Sequence, residues 1–332
     1  TLPITELDRK PSSCPYLYTW NGARFEFVTD FMGGGEMGYW LAPGVRNRPD
    51  PDEYVRIRGE QLQARDGRYE LRVTNELEEA LFVDHLRLLA LTHPADTEVY
   101  PNEGMTEVPR AYKLFVTRAA QPPVSAIDDA GRDVRAKIAQ RDWLAPDGFE
   151  RLAFRGYAKE HTLTLDLGSS ANERTVLLLT GWTDYAFSSD NVAASQAGLQ
   201  HTAPALQVKN ARSEWQTVIT DIGIPVGRPQ TIALDLTGKF LSSSRAVRIV
   251  TNMCILWDQI EVATGAAASA VQTQRLELQT AQLHWRGFSA AVGPAPYTYD
   301  YARVSRLSPW KVLPGRYTRE GEVGALLRRT DD

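Results

Sequence analysis

The chain has few cysteines and no long apolar run, whereas clustered cysteines and long apolar runs are typical of zinc-binding and membrane-spanning proteins, respectively. Its 332 residues include two cysteines, Cys14 and Cys254, which are too few for a CxxC-type zinc site. They lie far apart in the sequence, so one disulfide and two buried free thiols are both compatible with the pattern. No stretch approaches the roughly 18 consecutive apolar residues that a transmembrane helix needs.

An excess of charge of one sign is also missing. The chain has 37 basic and 41 acidic residues, which give a formal net charge of −4. This balance argues against the basic surface of a nucleic-acid binder. It also leaves no polybasic segment that would favour an anionic membrane surface.

The short motifs of common enzymes are absent from the sequence as well. None of the five histidines occurs in an HxH, HExxH or HxxxH spacing, and there is no GxSxG nucleophile elbow. Three consecutive glycines at 33–35 lack the lysine and the following helix of a phosphate-binding loop, so they predict a surface loop. The sequence therefore gives no local signature of metal chemistry or nucleophilic catalysis.

What the chain does contain is the alternation of apolar and polar residues that is typical of half-buried strands. An Asn-Gly pair at 21–22 lies between two alternating aromatic runs and predicts a β-hairpin. Alternation continues through 54–93, and 174–265 holds five further strand-like runs. We expect a mainly β protein, an antiparallel jelly-roll-like β-sandwich with an N-terminal antiparallel sheet region and one or two short helices.

The same patterns predict four consecutive regions. An N-terminal antiparallel β region spans 1–125, and a helical bridge spans 126–150, where Val134, Ile138 and Trp143 are spaced by about one helical turn or more. A jelly-roll-like sandwich follows over 151–290. The remainder, 291–332, is an aromatic extension rich in proline and glycine that we expect to be truncated.

Three segments carry a resemblance to a known family. CPYLYTWNGARFEFVTD, LLLTGWTDY and the run from DIGIPVG to RIVTNMCILWDQI resemble the C-terminal region of large exported bacterial proteins. Those proteins carry FG-GAP repeats, ASPIC/UnbV segments and often tetratricopeptide repeats, none of which occurs in this chain. The resemblance implies export to the periplasm, the cell surface or the medium, a longer parent protein, and a structural or binding role.

A second resemblance concerns residues 215–262 alone. This stretch is similar in pattern to the galactose-binding-like jelly roll of discoidin-type domains. Such domains bind carbohydrate, lipid head groups or proteins through loops at one end of the sandwich. The likeness is one of fold, and it implies a binding role without naming a ligand.

The segment 181–191 combines carboxylates, an amide, hydroxyls and aromatic rings at the end of a predicted strand. Calcium prefers six to eight oxygen ligands, which clustered Asp and Asn side chains can supply, and sugars prefer polar groups beside a ring. Ordinary turn chemistry explains the same composition. The candidate ligand-binding residues here and at the end of a later strand are Trp182, Asp184, Tyr185, Asp190, Asn191, Trp257 and Asp258. The candidate metal ligands are Asp184, Asp190 and Asn191.

The pair Trp257-Asp258 has two interpretations. If its strand neighbours the one that ends near Asp184, the two carboxylates could meet. Alternatively, Trp257 belongs to the core and Asp258 accepts hydrogen bonds from buried backbone groups. The residues alone favour the second.

We therefore expect a non-catalytic binding or scaffolding module of an exported bacterial protein that acts through protein–protein contacts, as part of a larger assembly. One alternative is a carbohydrate-binding module assisted by calcium. A second alternative is a hydrolase with carboxylates gathered at one edge of the sandwich.

Overall fold

The structure is a computed structural model, and it describes residues 15–31, 40–46, 53–76, 81–168, 174–226, 229–265, 271–293, 298–307 and 315–329. Within these ranges every paired strand is antiparallel, and strands greatly outnumber helices. This confirms the expected mainly β class. No helix in the described ranges has the length and apolarity needed to cross a bilayer.

The described strands fall between Tyr16 and Glu322. In chain order they are β1 (Tyr16–Trp20), β2 (Phe25–Asp30), β3 (Trp40–Ala42), β4 (Val45–Arg46), β5 (Leu71–Thr74), β6 (Leu88–Thr92), β7 (Glu98–Pro101), β8 (Leu114–Gln121), β9 (Ser125–Asp128), β10 (Tyr157–Asp166), β11 (Thr175–Thr183), β12 (Ala205–Lys209), β13 (Trp215–Ile219), β14 (Gln230–Asp235), β15 (Ala246–Met253), β16 (Ile255–Gly265), β17 (Gln272–Leu276), β18 (Gln282–Leu283), β19 (Phe288–Val292), β20 (Thr298–Ser305) and β21 (Gly321–Glu322). The α-helix is α1 (Ser188–Gln196), and short 3-10 turns occupy Gly59–Gln61, Arg135–Ile138 and Gly324–Leu327.

The chain divides into two compact units that do not follow the sequence in simple order. The first comprises Thr1–Phe31, Ile57–Pro94 and Val271–Asp332, and the second comprises Met32–Arg56 and Ala95–Ala270. Strands β7 and β8 fall within the expected N-terminal region, and β9 lies at the start of the expected helical bridge, yet all three belong to the two large sheets of the second unit. Local patterns cannot reveal such long-range pairing.

The first unit contains the predicted hairpin. Strands β1 and β2 pair around a turn in which the Asn21 side-chain oxygen accepts the N–H groups of Ala23 and Arg24. Its core is aromatic, and the rings of Tyr16 and Tyr299 stack with their centroids 4.1 Å apart. Tyr16 and Tyr18, which alternate along β1, both belong to this core, and Phe25 and Phe27 of β2 pack against it.

The second unit is a β-sandwich. One sheet has the order β13-β12-β15-β10-β9 and the other has the order β14-β11-β16-β8-β7. Their facing side chains form one buried core, to which each sheet contributes branched aliphatic residues. Examples are Leu165, Leu206, Ile249, Leu177, Leu179 and Ile260. The sandwich is thus confirmed, whereas its jelly-roll-like topology stays a prediction.

The chain crosses from one sheet to the other through a single residue between β15 and β16. That residue, Cys254, is a buried free thiol, and burial raises its pKa to about 11. A raised thiol pKa keeps the group protonated and unreactive at neutral pH. The other cysteine, Cys14, lies outside the described residues.

A β-bulge interrupts the pairing of β11 with β16. Thr180 pairs with Gln259, but Gly181 pairs with Trp257, so Asp258 is the extra residue. The bulge lets Trp257 and Asp258 both be buried although they are neighbours. Gly181 is required beside it, because a Cβ there would lie 2.3 Å from the Leu256 carbonyl oxygen.

The helix expected within 126–149 does not form. The Asp128 carboxylate accepts the N–H groups of Ala130 and Arg132, and Gly131 adopts a left-handed φ of +78°, so this stretch turns back on itself. The only helical piece there is the single turn at Arg135–Ile138, whose Ile138 is buried. The α-helix lies instead at α1, within what the sequence suggested was a loop.

Candidate functional site

The candidate site lies on the face of β11 that points away from the sandwich core. Leu177 and Leu179 point into the core, so alternation places Trp182 and Asp184 on the opposite side. The Asp184 N–H continues the pairing by donating to the Cys254 carbonyl oxygen. A ring and a carboxylate therefore follow one another along this strand end.

The segment 139–143 lies across this face. Ala139 forms a β-bridge with Gln259. The Arg141 guanidinium then donates to Thr180 Oγ1 at 3.1 Å and to Thr231 Oγ1 at 2.8 Å, which joins β11 and β14. Beyond it, the Trp143 ring packs on Trp182 with centroids 5.1 Å apart and planes 48° apart.

The Asp258 side chain holds the backbone of segment 139–143 in place. Its Oδ1 accepts the Trp143 N–H at 2.8 Å and the Asp142 N–H at 3.2 Å, and the residue is 2% exposed. Desolvation raises the pKa of this carboxyl, while the two backbone hydrogen bonds oppose that rise. The buried carboxylate thus satisfies two N–H groups that would otherwise lack an acceptor.

Trp143 has an unfavourable backbone conformation. Its φ is +65°, a left-handed value that costs a bulky L-residue about 1–2 kcal/mol, yet its ring is not inside a core. The residue is 41% exposed. Strain of this kind persists only where the surroundings enforce it, and it concentrates at binding and catalytic sites.

Because of this strain, we expect glycine to be more stable than alanine at position 143, the reverse of the usual order. Trp143→Gly should be more stable than Trp143→Ala by about 1 kcal/mol, because only alanine keeps the left-handed penalty and both variants lack the ring. Urea unfolding of the two variants measures the difference. At exposed Trp285, whose φ is not left-handed, the glycine variant should not be the more stable one. An alanine variant at 143 as stable as the glycine variant would contradict the strain.

Asp184 forms two ion pairs. Its carboxylate oxygens accept Arg151 Nη1 at 2.7 Å and Arg155 Nε at 3.1 Å. The Arg155 guanidinium lies 4.3 Å from the Phe187 ring centroid and 5.7 Å from that of Tyr185. We call this surface the aromatic edge, defined by the rings of Trp143, Trp182, Tyr185 and Phe187 and the charges of Arg151, Arg155 and Asp184.

The other two predicted metal ligands have structural roles. Asp190 lies in the first turn of α1, where its Oδ2 accepts the Phe187 N–H at 3.1 Å. Asn191 is buried, accepts the Tyr157 hydroxyl at 2.9 Å and donates to the Trp40 carbonyl oxygen at 3.0 Å. Asp184, Asp190 and Asn191 thus each bond to different partners, and a calcium site formed by the three stays a prediction.

Trp257 and Asp258 follow the second of their two interpretations. Trp257 belongs to the sandwich core, and the Asp258 carboxylate has backbone partners of its own rather than Asp184. Across the residues that the structure describes, no three His, Cys, Asp or Glu side chains gather closely enough to hold a metal ion.

A separate narrow pocket opens beside β10 and β15. Phe149 stacks on His161 with centroids 4.5 Å apart, and both rings line the pocket together with Ile249 and Trp257. Its cavity volume of about 40 Å³ is enough for a few water molecules and well below the roughly 150 Å³ of a cavity that binds benzene.

Sequence reasoning identified Trp182, Asp184 and Tyr185 at the aromatic edge but missed Trp143, Arg151 and Arg155. Trp143 was assigned to a helix, and the two arginines lay at the start of the expected sandwich region 151–290, where nothing marked them as site residues. Comparison with known proteins adds no assignment, since no protein-family model, no curated protein and no solved structure matches the chain.

Proposed function

We propose that this chain is a non-catalytic carbohydrate-binding module whose ligand contacts the aromatic edge. The observation that carries the proposal is Trp143, an exposed ring kept in a strained backbone by the buried Asp258 carboxylate. A protein gains no core packing from such a ring. An exposed ring held at a cost in stability is best explained by a ligand that uses it.

The chemistry beside the ring suits a sugar. The apolar C–H face of a pyranose packs on an aromatic ring, and Trp143, which packs on Trp182, keeps 41% of its surface exposed for such a contact. The hydroxyl groups at the rim of the sugar need both donors and acceptors. The paired Arg155 and Asp184 offer both on the same side of the strand as Trp182.

The proposal omits the calcium that the sequence suggested. A calcium ion would have to compete with the Arg151 and Arg155 guanidinium groups for the Asp184 oxygens. Asp190 and Asn191 are turned to α1 and its neighbours. We also do not propose a hydrolase at this edge, because Asp184 is ion-paired and Asp258 is buried beneath the backbone.

A second candidate is the protein-binding or scaffolding role in an exported bacterial protein. The composition of the aromatic edge favours it, since Trp, Tyr and Arg dominate the residues that contribute most to protein interfaces. The same exposed Trp143 would then anchor a partner protein rather than a glycan.

Affinity electrophoresis in gels that contain soluble polysaccharides tests the first candidate. We expect at least one polysaccharide of a neutral and acidic panel to retard the protein, and Trp143→Ala to weaken that binding about tenfold or more. The matched control is Trp285→Ala, which removes an exposed ring from the first unit. If Trp143→Ala is retarded as strongly as the wild type, or no polysaccharide retards the protein, the carbohydrate proposal is wrong.

A further inference from the structure

We infer that the ligand of the aromatic edge is an acidic saccharide whose carboxylate is bound by Arg155 and Arg151. The inference rests on the proposed function and names the ligand class of the same surface. It comes from the way these two guanidinium groups are held and from the donors they leave unused.

The two arginines have hydrogen-bonding capacity to spare. Arg155 uses its Nε for Asp184, and Arg151 uses its Nη1. Among the described residues, neither Nη group of Arg155 and neither the Nε nor the Nη2 of Arg151 has a protein acceptor within bonding distance. Both side chains are partly accessible, at 28% for Arg155 and 44% for Arg151. A ligand oxygen can therefore reach these donors.

The two arginines outnumber the carboxylate that pairs with them. Two guanidinium groups share the single Asp184 carboxylate, which leaves one positive charge in excess. Of the other acids nearby, Glu150 pairs with Lys159, whereas Asp190 keeps its negative charge and accepts the Phe187 N–H at the first turn of α1. A carboxylate on the ligand would balance the excess, which a neutral sugar cannot do.

The orientation of Arg155 is set before a ligand arrives. Its guanidinium lies over the Phe187 ring while its Nε is bonded to Asp184, so the planar fork has two fixed contacts. A preorganised fork matches the two oxygens of a carboxylate and loses little freedom on binding. Asp184 thus acts as a positioning residue for the two arginines.

The negative net charge of the whole chain argues against non-specific binding of an acidic saccharide. At −4 the protein as a whole repels polyanions, so general electrostatic attraction would not produce binding. Binding of an acidic saccharide would have to come from a local site such as the aromatic edge.

Isothermal titration with polygalacturonate, alginate and hyaluronate tests the inference, with the methyl ester of each chain and dextran sulfate as comparison ligands. We expect at least one of the three carboxylated chains to bind, and its neutral ester to bind at least tenfold more weakly. Arg155→Gln should remove that difference, whereas Trp143→Ala should weaken binding of both forms. Arg24→Gln, which changes an arginine of the first unit that is 75% exposed, is the matched control and should bind as the wild type does.

Other results would separate failure of this inference from failure of the proposed function. Binding of neutral saccharides that depends on Trp143 but not on Arg155 would overturn the inference and leave the proposed function standing. Equal binding of dextran sulfate would show recognition of charge alone and would also overturn it. If no saccharide binds in a way that depends on Trp143, the proposed function itself fails.

Discussion

Trp257→Ala is expected to lower the free energy of unfolding by about 3–5 kcal/mol. The ring is 5% exposed and belongs to the sandwich core, where it lies directly before the bulge residue of β16. Removing a buried indole loses its transfer free energy and leaves a cavity that a close-packed sandwich cannot close. Urea unfolding followed by circular dichroism measures the change.

The control for this variant is another tryptophan. Trp285 is 55% exposed, so Trp285→Ala should change the free energy of unfolding by no more than about 0.5 kcal/mol. A loss below about 1 kcal/mol for Trp257→Ala would place the ring outside the core. It would then restore Trp257 as a candidate ligand-binding residue.

Asp258→Ala is expected to lower the free energy of unfolding by about 2–3 kcal/mol. The change leaves the N–H groups of Asp142 and Trp143 without their acceptor, and each buried orphan donor costs about 1–3 kcal/mol. Loss of a desolvated charge offsets part of that cost. Asp258→Asn keeps a side-chain oxygen at the same place, so it should stay within about 1 kcal/mol of the wild type.

The difference in unfolding free energy between the wild type and Asp258→Asn should depend on pH. Burial raises the pKa of Asp258 above its ordinary value in the folded state, so the folded protein holds this proton more tightly than the unfolded chain does. The stabilisation that protonation gives is fully present below the ordinary pKa and is lost as the pH rises through the folded pKa. Relative to Asp258→Asn, the wild type should therefore gain stability as the pH falls across that interval.

Urea titrations at several pH values between neutral and the ordinary pKa of aspartate measure this difference. If the wild type and Asp258→Asn keep a constant difference in unfolding free energy, the pKa of Asp258 is not raised. If Asp258→Ala is as stable as Asp258→Asn, the two backbone hydrogen bonds do not hold the segment of Trp143.

Local sequence patterns were sufficient for much of the fold. Alternation predicted the hairpin of β1 and β2, because a buried aromatic face imposes a period of two and Asn-Gly supplies the turn. The run of 246–262 was correctly assigned to strands, although Cys254 divides it between two sheets. Which strands pair across the sandwich depends on contacts distant in sequence, and no local pattern encodes them.

The helix expected in 126–150 does not form, and the helix α1 lies in a segment that was interpreted as a loop. Apolar residues near a helical spacing suggested a helix around Val134, but Asp128 and Gly131 form a turn whose side-chain bonds compete with helix formation. The true helix α1 is short, rich in Ala and Ser, and has almost no apolar periodicity. Its one local signal is Asp190, which lies in the first turn and accepts the Phe187 N–H.

The candidate site was only partly accessible to sequence reasoning. Trp182, Asp184 and Tyr185 attracted attention because they follow a strong strand, and they do lie at the aromatic edge. Trp143 is about 40 residues earlier, and it reaches Trp182 only because Asp258 fixes its backbone. A bulge in β16 and a left-handed residue in a loop together create that contact, and neither has a reliable sequence pattern.

Fluorine NMR of the protein labelled with 5-fluorotryptophan tests the central claim most directly. The resonances, assigned by single Trp→Phe variants, would be followed while the acidic saccharide that binds most tightly in the titrations is added. We predict that the signals of Trp143 and Trp182 shift with the ligand, while those of buried Trp257 and of exposed Trp285 stay in place. Shifts confined to Trp285, or no shift at Trp143 at saturating ligand, would contradict the assignment of the aromatic edge as the binding surface.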